Sequence, residues 1–179
     1  MSDAASRSPE LSDHMAGPYW KLRPAPPTPK DELCGGATIE AITLRDSLGP
    51  NCVYCLRCNG EVAPERIGFG HAIAEDMARW RFVYRGLHSL WLDSTEYEQW
   101  ALERLLDPDG AVNITGRKVV ARLNEYVRSY YWWSMHNDPL MDDAPPATCP
   151  YCNGSLAPAG RRGLQKCELC SVVVAWNDF

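Results

Sequence analysis

The sequence predicts an α+β fold, a small helical middle region between two short β regions that carry the cysteines. Three observations support it. Apolar residues recur at helical spacing through the middle of the chain, from Ile73 to Val127. Short β-branched and aromatic runs, broken by Gly and Pro, lie on either side of the helices. All eight cysteines fall outside the helical segment, seven of them in CxxC pairs.

Along the chain, residues 1–33 read as a flexible Pro-rich leader. The first seventeen are small and polar. Tyr19-Trp20-Lys21-Leu22 then suits a short docking strand, and four prolines between Arg23 and Pro29 impose an extended path. Residues 34–70 form an N-terminal β region that includes the run Thr38-Ile39-Glu40-Ala41-Ile42. Residues 71–136 form a helical core with one aromatic strand. Ile73, Met77, Trp80, Tyr84, Leu87 and Trp91 alternate steps of four and three, which predicts an amphipathic helix of about twenty residues. Gly86 inside it costs roughly 1 kcal/mol relative to alanine. Thr95 and Glu98 have capping-box spacing and start a second helix with Tyr97, Trp100, Ala101 and Leu105, which Asp107-Pro108-Asp109-Gly110 stops. Asn113 is expected to cap a third helix bearing Val119, Val120, Leu123 and Val127. Tyr130-Tyr131-Trp132-Trp133 prefers a strand. Residues 137–147 read as a linker, and 148–179 as the second cysteine-bearing unit.

That last unit has the strongest motif. Cys149-Pro150-Tyr151-Cys152 and Cys167-Glu168-Leu169-Cys170 are separated by fourteen residues, the spacing of a zinc ribbon. Each pair forms a tight knuckle that aims two thiolates at one point, and the intervening residues run out and back as a hairpin. Four sulfurs close a tetrahedral site of the structural type. Asn153-Gly154 accepts the left-handed backbone such a turn needs, and Ser171 to Trp176 reads as the closing strand. At 179 residues the chain suits a small domain with this ribbon appended.

A second zinc constellation lies upstream. Cys55-Leu56-Arg57-Cys58-Asn59-Gly60 followed by Ala63-Pro64 echoes Cys149 to Gly154 followed by Ala157-Pro158, so the knuckle is written twice. Cys34 and Cys52 are expected to complete the ligand set of Cys55 and Cys58, with His71 in reserve. The CxxCxxC run from Cys52 to Cys58 with a remote fourth cysteine also suits a [4Fe–4S] cluster. Clustering at two-residue gaps argues against a disulfide framework.

Hydrophobic residues at 45% and charged ones at 23% exclude wholesale disorder. No run reaches the eighteen apolar residues of a membrane span, and MSDAASRSPE lacks the features of a secretory signal, so a cytoplasmic location is expected. A net charge of −5 weighs against bulk electrostatic capture of nucleic acid. Trp132 and Trp133 suit a core better than a base-stacking platform, since no Lys or Arg is interleaved with them. Metalloprotease, P-loop, nucleophile-elbow and dinucleotide fingerprints are absent. Glu96, Glu98 and Glu103 read as a solvated face, and no histidine pairs with a nucleophile. The chain is therefore expected to be no enzyme, with no small-molecule substrate.

From Trp80 onward the order of features resembles an uncharacterised bacterial family of zinc-ribbon-containing proteins for which nucleic-acid binding is suggested by analogy with other ribbons. The matching residues are Leu90 to Ser94, Glu98, Trp100-Ala101, Leu106-Asp107-Pro108, Gly116-Arg117 and Tyr130-Tyr131. Both ribbon knuckles match, as does Cys55 to Gly60. The chain departs in its added Cys52 and in its lone Cys34, where the family tends to have a closely spaced pair. The resemblance implies a domain class and a nucleic-acid partner.

Two functions follow as expectations. In the first, the ribbon hairpin offers Arg161, Arg162 and Lys166 to phosphates. In the second, the zinc sites scaffold a protein-interaction module, an adaptor or a toxin-neutralising immunity protein. The acidic 94–112 stretch and the net charge suit a basic partner, and the paired CxxC motifs loosely resemble the double-CxxCG immunity proteins of predatory soil bacteria.

Overall fold

The computed structural model describes residues 17–47, 49–134, 146–161 and 163–175. The start of the expected leader, most of the expected linker, Arg162 and Trp176 lie outside the described residues.

Six strands form one mixed sheet: β1 (Ala41–Leu44), β2 (Val53–Cys55), β3 (Arg128–Ser134), β4 (Ala157–Pro158), β5 (Leu164–Cys167) and β6 (Val172–Ala175), in the spatial order β2-β1-β3-β6-β5-β4. Three helices, α1 (His71–Asp93), α2 (Glu98–Leu106) and α3 (Ala111–Leu123), lie between β2 and β3 in sequence. The aromatic run expected as a strand becomes β3, the centre of the sheet. It pairs in parallel with β1 on one side and with β6 on the other. Antiparallel partners complete each flank, β2 on β1 and β5 then β4 on β6. The ribbon strands therefore continue the sheet begun by the N-terminal strands.

Side-chain alternation sorts the sheet into two faces. Ile42, Leu44, Tyr131, Trp133, Val172 and Val174 join Met77, Trp80 and Tyr84 of α1 and Val119, Val120 and Leu123 of α3 in the main core. The intervening residues Tyr130, Val173 and Ala175 form a smaller cluster with Leu56, Ala159 and Leu164. Both faces of β6 are buried, which explains its unbroken Val-Val-Val-Ala run. Trp133 is buried in the main core, and Trp132 packs half-buried on the smaller cluster.

The expected face of α1 is the one buried: Ile73, Met77, Trp80 and Tyr84 are covered, while Leu87 and Trp91 pack at its edge. The start of α2 differs from the expected capping box. Glu98 accepts from the Thr95 N–H at 3.0 Å as such a box requires, but Ser94 Oγ, not Thr95, accepts from the Tyr97 N–H. Asn113 does not cap α3, which begins at Ala111 after Gly110. Its side chain instead donates to Leu105 O and Asp107 O at 2.9 and 2.7 Å and accepts from Tyr131. The buried amide satisfies the end of α2, a stronger demand than a cap one turn earlier.

Within the leader, residues 17–33 are mostly exposed and are anchored to the body at a few points. Trp20–Leu22 is a 3-10 turn, not a strand, and Tyr19 and Leu22 enter the main core. The Tyr19 hydroxyl donates to Phe69 O. Thr28 Oγ1 donates to the Glu61 carboxylate at 2.8 Å, which also accepts from Asn51 Nδ2 at 2.9 Å. No described helix is long and apolar enough to cross a membrane.

Candidate metal centres

At the ribbon, β5 delivers Cys167 at its last position, and Cys170 follows in the tight turn between β5 and β6. Ser171 adopts φ +51° as the chain leaves that turn. Cys149 and Cys152 come from the other knuckle, in which the Cys149 N–H donates to Gly154 O at 2.8 Å and the Asn153 N–H to Cys149 O at 3.0 Å. Sulfurs also accept from the backbone, Cys149 Sγ from the Tyr151 N–H at 3.5 Å and Cys167 Sγ from the Cys170 N–H at 3.4 Å. At Cys149 burial is the larger cause and raises the thiol above its ordinary value, with the Tyr151 N–H opposing it. At Cys152 the Gly154 N–H is the main cause of a thiol held below its ordinary value.

The upstream knuckle repeats this wiring. The Cys55 N–H donates to Gly60 O and the Asn59 N–H to Cys55 O, both at 2.9 Å. Asn59 and Asn153 share a left-handed backbone, with φ +62° and +55°. The repeat seen in sequence is thus a repeat of hydrogen bonds. Cys34 reaches this knuckle because residues 32–34 run beside 60–62: the Cys34 N–H donates to Glu61 O at 2.8 Å, and Glu61 N–H to Glu32 O at 2.9 Å. Gly60 permits the approach, since a Cβ there would stand 2.7 Å from the Cys34 nitrogen. Arg66 donates to Cys34 O and Gly36 O and holds the loop in place.

Two groups of sulfurs result, each with all members within 4.8 Å of one another: Cys149, Cys152, Cys167 and Cys170, and Cys34, Cys55 and Cys58. Both could hold a metal ion. Four sulfurs at ~2.3 Å from a shared zinc stand about 3.8 Å apart, and those of Cys152 and Cys167 are 3.7 Å apart. A disulfide would need about 2 Å, and all eight cysteines are free thiols.

Cys52 is not in either group. The Cys52-Val53-Tyr54-Cys55 run looks like a knuckle in sequence but enters β2 extended, its Cys52 carbonyl accepting from the Arg45 N–H to continue the β1–β2 ladder. Three residues of strand span roughly 10 Å, too far for a shared ion. Cys52 is instead a core residue whose thiol burial pushes up to about 12. His71, the reserve ligand, is also outside both groups. It opens α1, with Nδ1 3.0 Å from Pro18 O and Nε2 3.7 Å from Glu75.

No family model, curated protein or solved structure matches the chain. Its functional reading therefore rests on its own geometry.

Of the three basic residues expected at the ribbon hairpin, two are described. Lys166 lies within β5 and pairs with Glu168 at 2.6 Å; Arg161 is half-buried in the β4–β5 turn, and Arg162 lies outside the described residues. Hydrogen bonds from Lys166, Tyr130 and Arg128 to the Glu168 carboxylate outweigh the opposing burial and take it down to about 2.

Sequence reasoning missed what fixes the ribbon to the body. Tyr151, inside the first knuckle, meets the Trp133 ring edge-on at 5.3 Å, and the Arg117 guanidinium lies 4.0 Å from the centre of its ring. An aromatic between two ligands was the available signal.

Proposed function

We propose that this protein is a zinc-scaffolded binding protein that engages a basic protein partner through the corner between α1 and α2. Zinc in each thiol group supplies a structural crosslink that holds a knuckle closed. With Cys52 outside the upstream group, that group does not use the full CxxCxxC run that suited an iron–sulfur cluster.

The observation behind the partner is the composition of that corner. Leu92, Tyr97 and Trp100 are 52%, 51% and 46% exposed. Asp93, Glu96 and Glu103 are exposed among them. Exposed aromatics bordered mainly by carboxylates, with the Arg104 guanidinium 5.4 Å from the Trp100 ring, suit a protein interface. A chain with net charge −5 whose ribbon lysine is paired to a carboxylate suits a polyanion less. Adaptor and immunity protein remain two versions of this reading.

The test is recovery of the tagged full-length protein with and without nuclease, alongside a Tyr97→Ala/Trp100→Ala variant. The proposal expects a basic protein that survives nuclease, dissociates with added salt and is lost in the variant. Recovery of RNA or DNA that nuclease abolishes, unchanged in the variant, would establish the nucleic-acid reading instead.

A further inference from the structure

The upstream centre has three thiolates where the ribbon has four, and the difference traces to one residue. In both ribbon knuckles the second thiol stands three residues after the first, Cys152 after Cys149 and Cys170 after Cys167. Cys55 and Cys58 keep that spacing, but three residues after Cys34 the chain has Ala37. The 34–37 loop brings Cys34 alone to the centre and lacks the hydrogen-bonded turn of the other knuckles. Among the described residues, no His, Asp, Glu or further Cys adds a ligand atom to Cys34, Cys55 and Cys58. Ala37 is exposed, and so is Cys58.

Building on the zinc assignment above, we infer that the Cys34–Cys55–Cys58 centre is a three-thiolate zinc site whose fourth position takes an exchangeable exogenous donor, with small thiolates the preferred class. Three protein thiolates and one external donor make an open site of the kind that admits small ligands, in contrast to the closed ribbon. Zinc favours a soft sulfur donor, and the Arg66 guanidinium, which donates to Cys34 O, offsets the added negative charge. Cys58 is the exposed member of the centre and gives that donor access from solvent.

Cobalt(II) titration of the metal-free full-length chain, followed by addition of 2-mercaptoethanol, tests this. The expected result is two cobalt ions per chain. Added thiol should then raise the sulfur-to-cobalt charge-transfer band of the upstream centre by about a third, as three Co–S bonds become four, leaving the ribbon contribution unchanged. Ala37→Cys should show the four-sulfur spectrum without added thiol and lose the response. Two cobalt ions with a wild-type spectrum insensitive to thiol would overturn the open position while sparing the two-site reading. A single cobalt ion, retained in Cys55→Ser, would overturn both.

Discussion

The Tyr131 hydroxyl donates a 2.7 Å hydrogen bond to Asn113 Oδ1, joining the central strand to α3 inside the core. Asn113 spends its amide protons on Leu105 O and Asp107 O, so one buried side chain ties the end of α2, the start of α3 and β3 together. Removing it leaves several buried polar groups without partners, the costly side of hydrogen-bond energetics.

Asn113→Ala should therefore destabilise the protein by about 2–4 kcal/mol and Tyr131→Phe by about 1–2 kcal/mol. In zinc-saturated denaturant unfolding the double variant should lose less than the sum, with a coupling of at least ~0.5 kcal/mol. Strict additivity would show that the two groups act separately.

Gly116 lies where α3 crosses β3. A Cβ at this position would stand 2.3 Å from Tyr131 Cε2 and 2.7 Å from Trp80 Nε1. Both rings are held in the core, so neither can yield freely. Gly116→Ala should cost about 1–3 kcal/mol by overpacking, despite the better helix propensity of alanine. Gly86, on the exposed side of α1 with nothing within 4 Å, is the control. Gly86→Ala should stabilise by up to ~1 kcal/mol, and equal effects at the two glycines would contradict the packing argument.

How much of this was legible beforehand depended on the range of the interaction. The ribbon knuckles, the Asn-Gly turns and the buried stripe of α1 are local patterns with fixed periods, and they stand where spacing places them. Cys52 misled because a CxxC pair is also two residues of strand, and pairing to Arg45 decides between turn and extension. Asn113 misled because its three partners are distant in sequence or beyond a turn. The central place of β3 depends on two parallel pairings, which no local pattern encodes.

His88 gives a pH signature. Burial disfavours its charged form, and Arg85 adds to this while Asp46 opposes it, leaving the imidazole below its ordinary value. Its ring stacks on Tyr84 and meets Trp91 edge-on. A folded value below the unfolded one means the contribution to stability is full above about pH 6.5. It is lost as pH falls through the lower folded value. NMR titration of the His88 ring should show a midpoint below 6.5, and a midpoint at or above it would contradict the packed environment.

With zinc in the ribbon, as proposed, metal affinity and folding become one quantity. Cys170→Ser should weaken zinc binding and lower the melting temperature of the holoprotein, because binding free energy at a structural site is folding free energy. Excess chelator should bring the wild type down to the variant. Differential scanning calorimetry checks this; melting that ignores both the substitution and the chelator would assign the ribbon cysteines no structural role.

The central claim is that two separate thiol centres bind zinc, one through Cys149, Cys152, Cys167 and Cys170 and the other through Cys34, Cys55 and Cys58 without Cys52. Metal content by native mass spectrometry of the full-length protein tests it most directly. The account predicts two zinc ions in the wild type and in Cys52→Ser, and one in Cys55→Ser and in Cys149→Ser. Loss of an ion in Cys52→Ser but not in Cys55→Ser, or iron with absorbance near 400 nm, would contradict it.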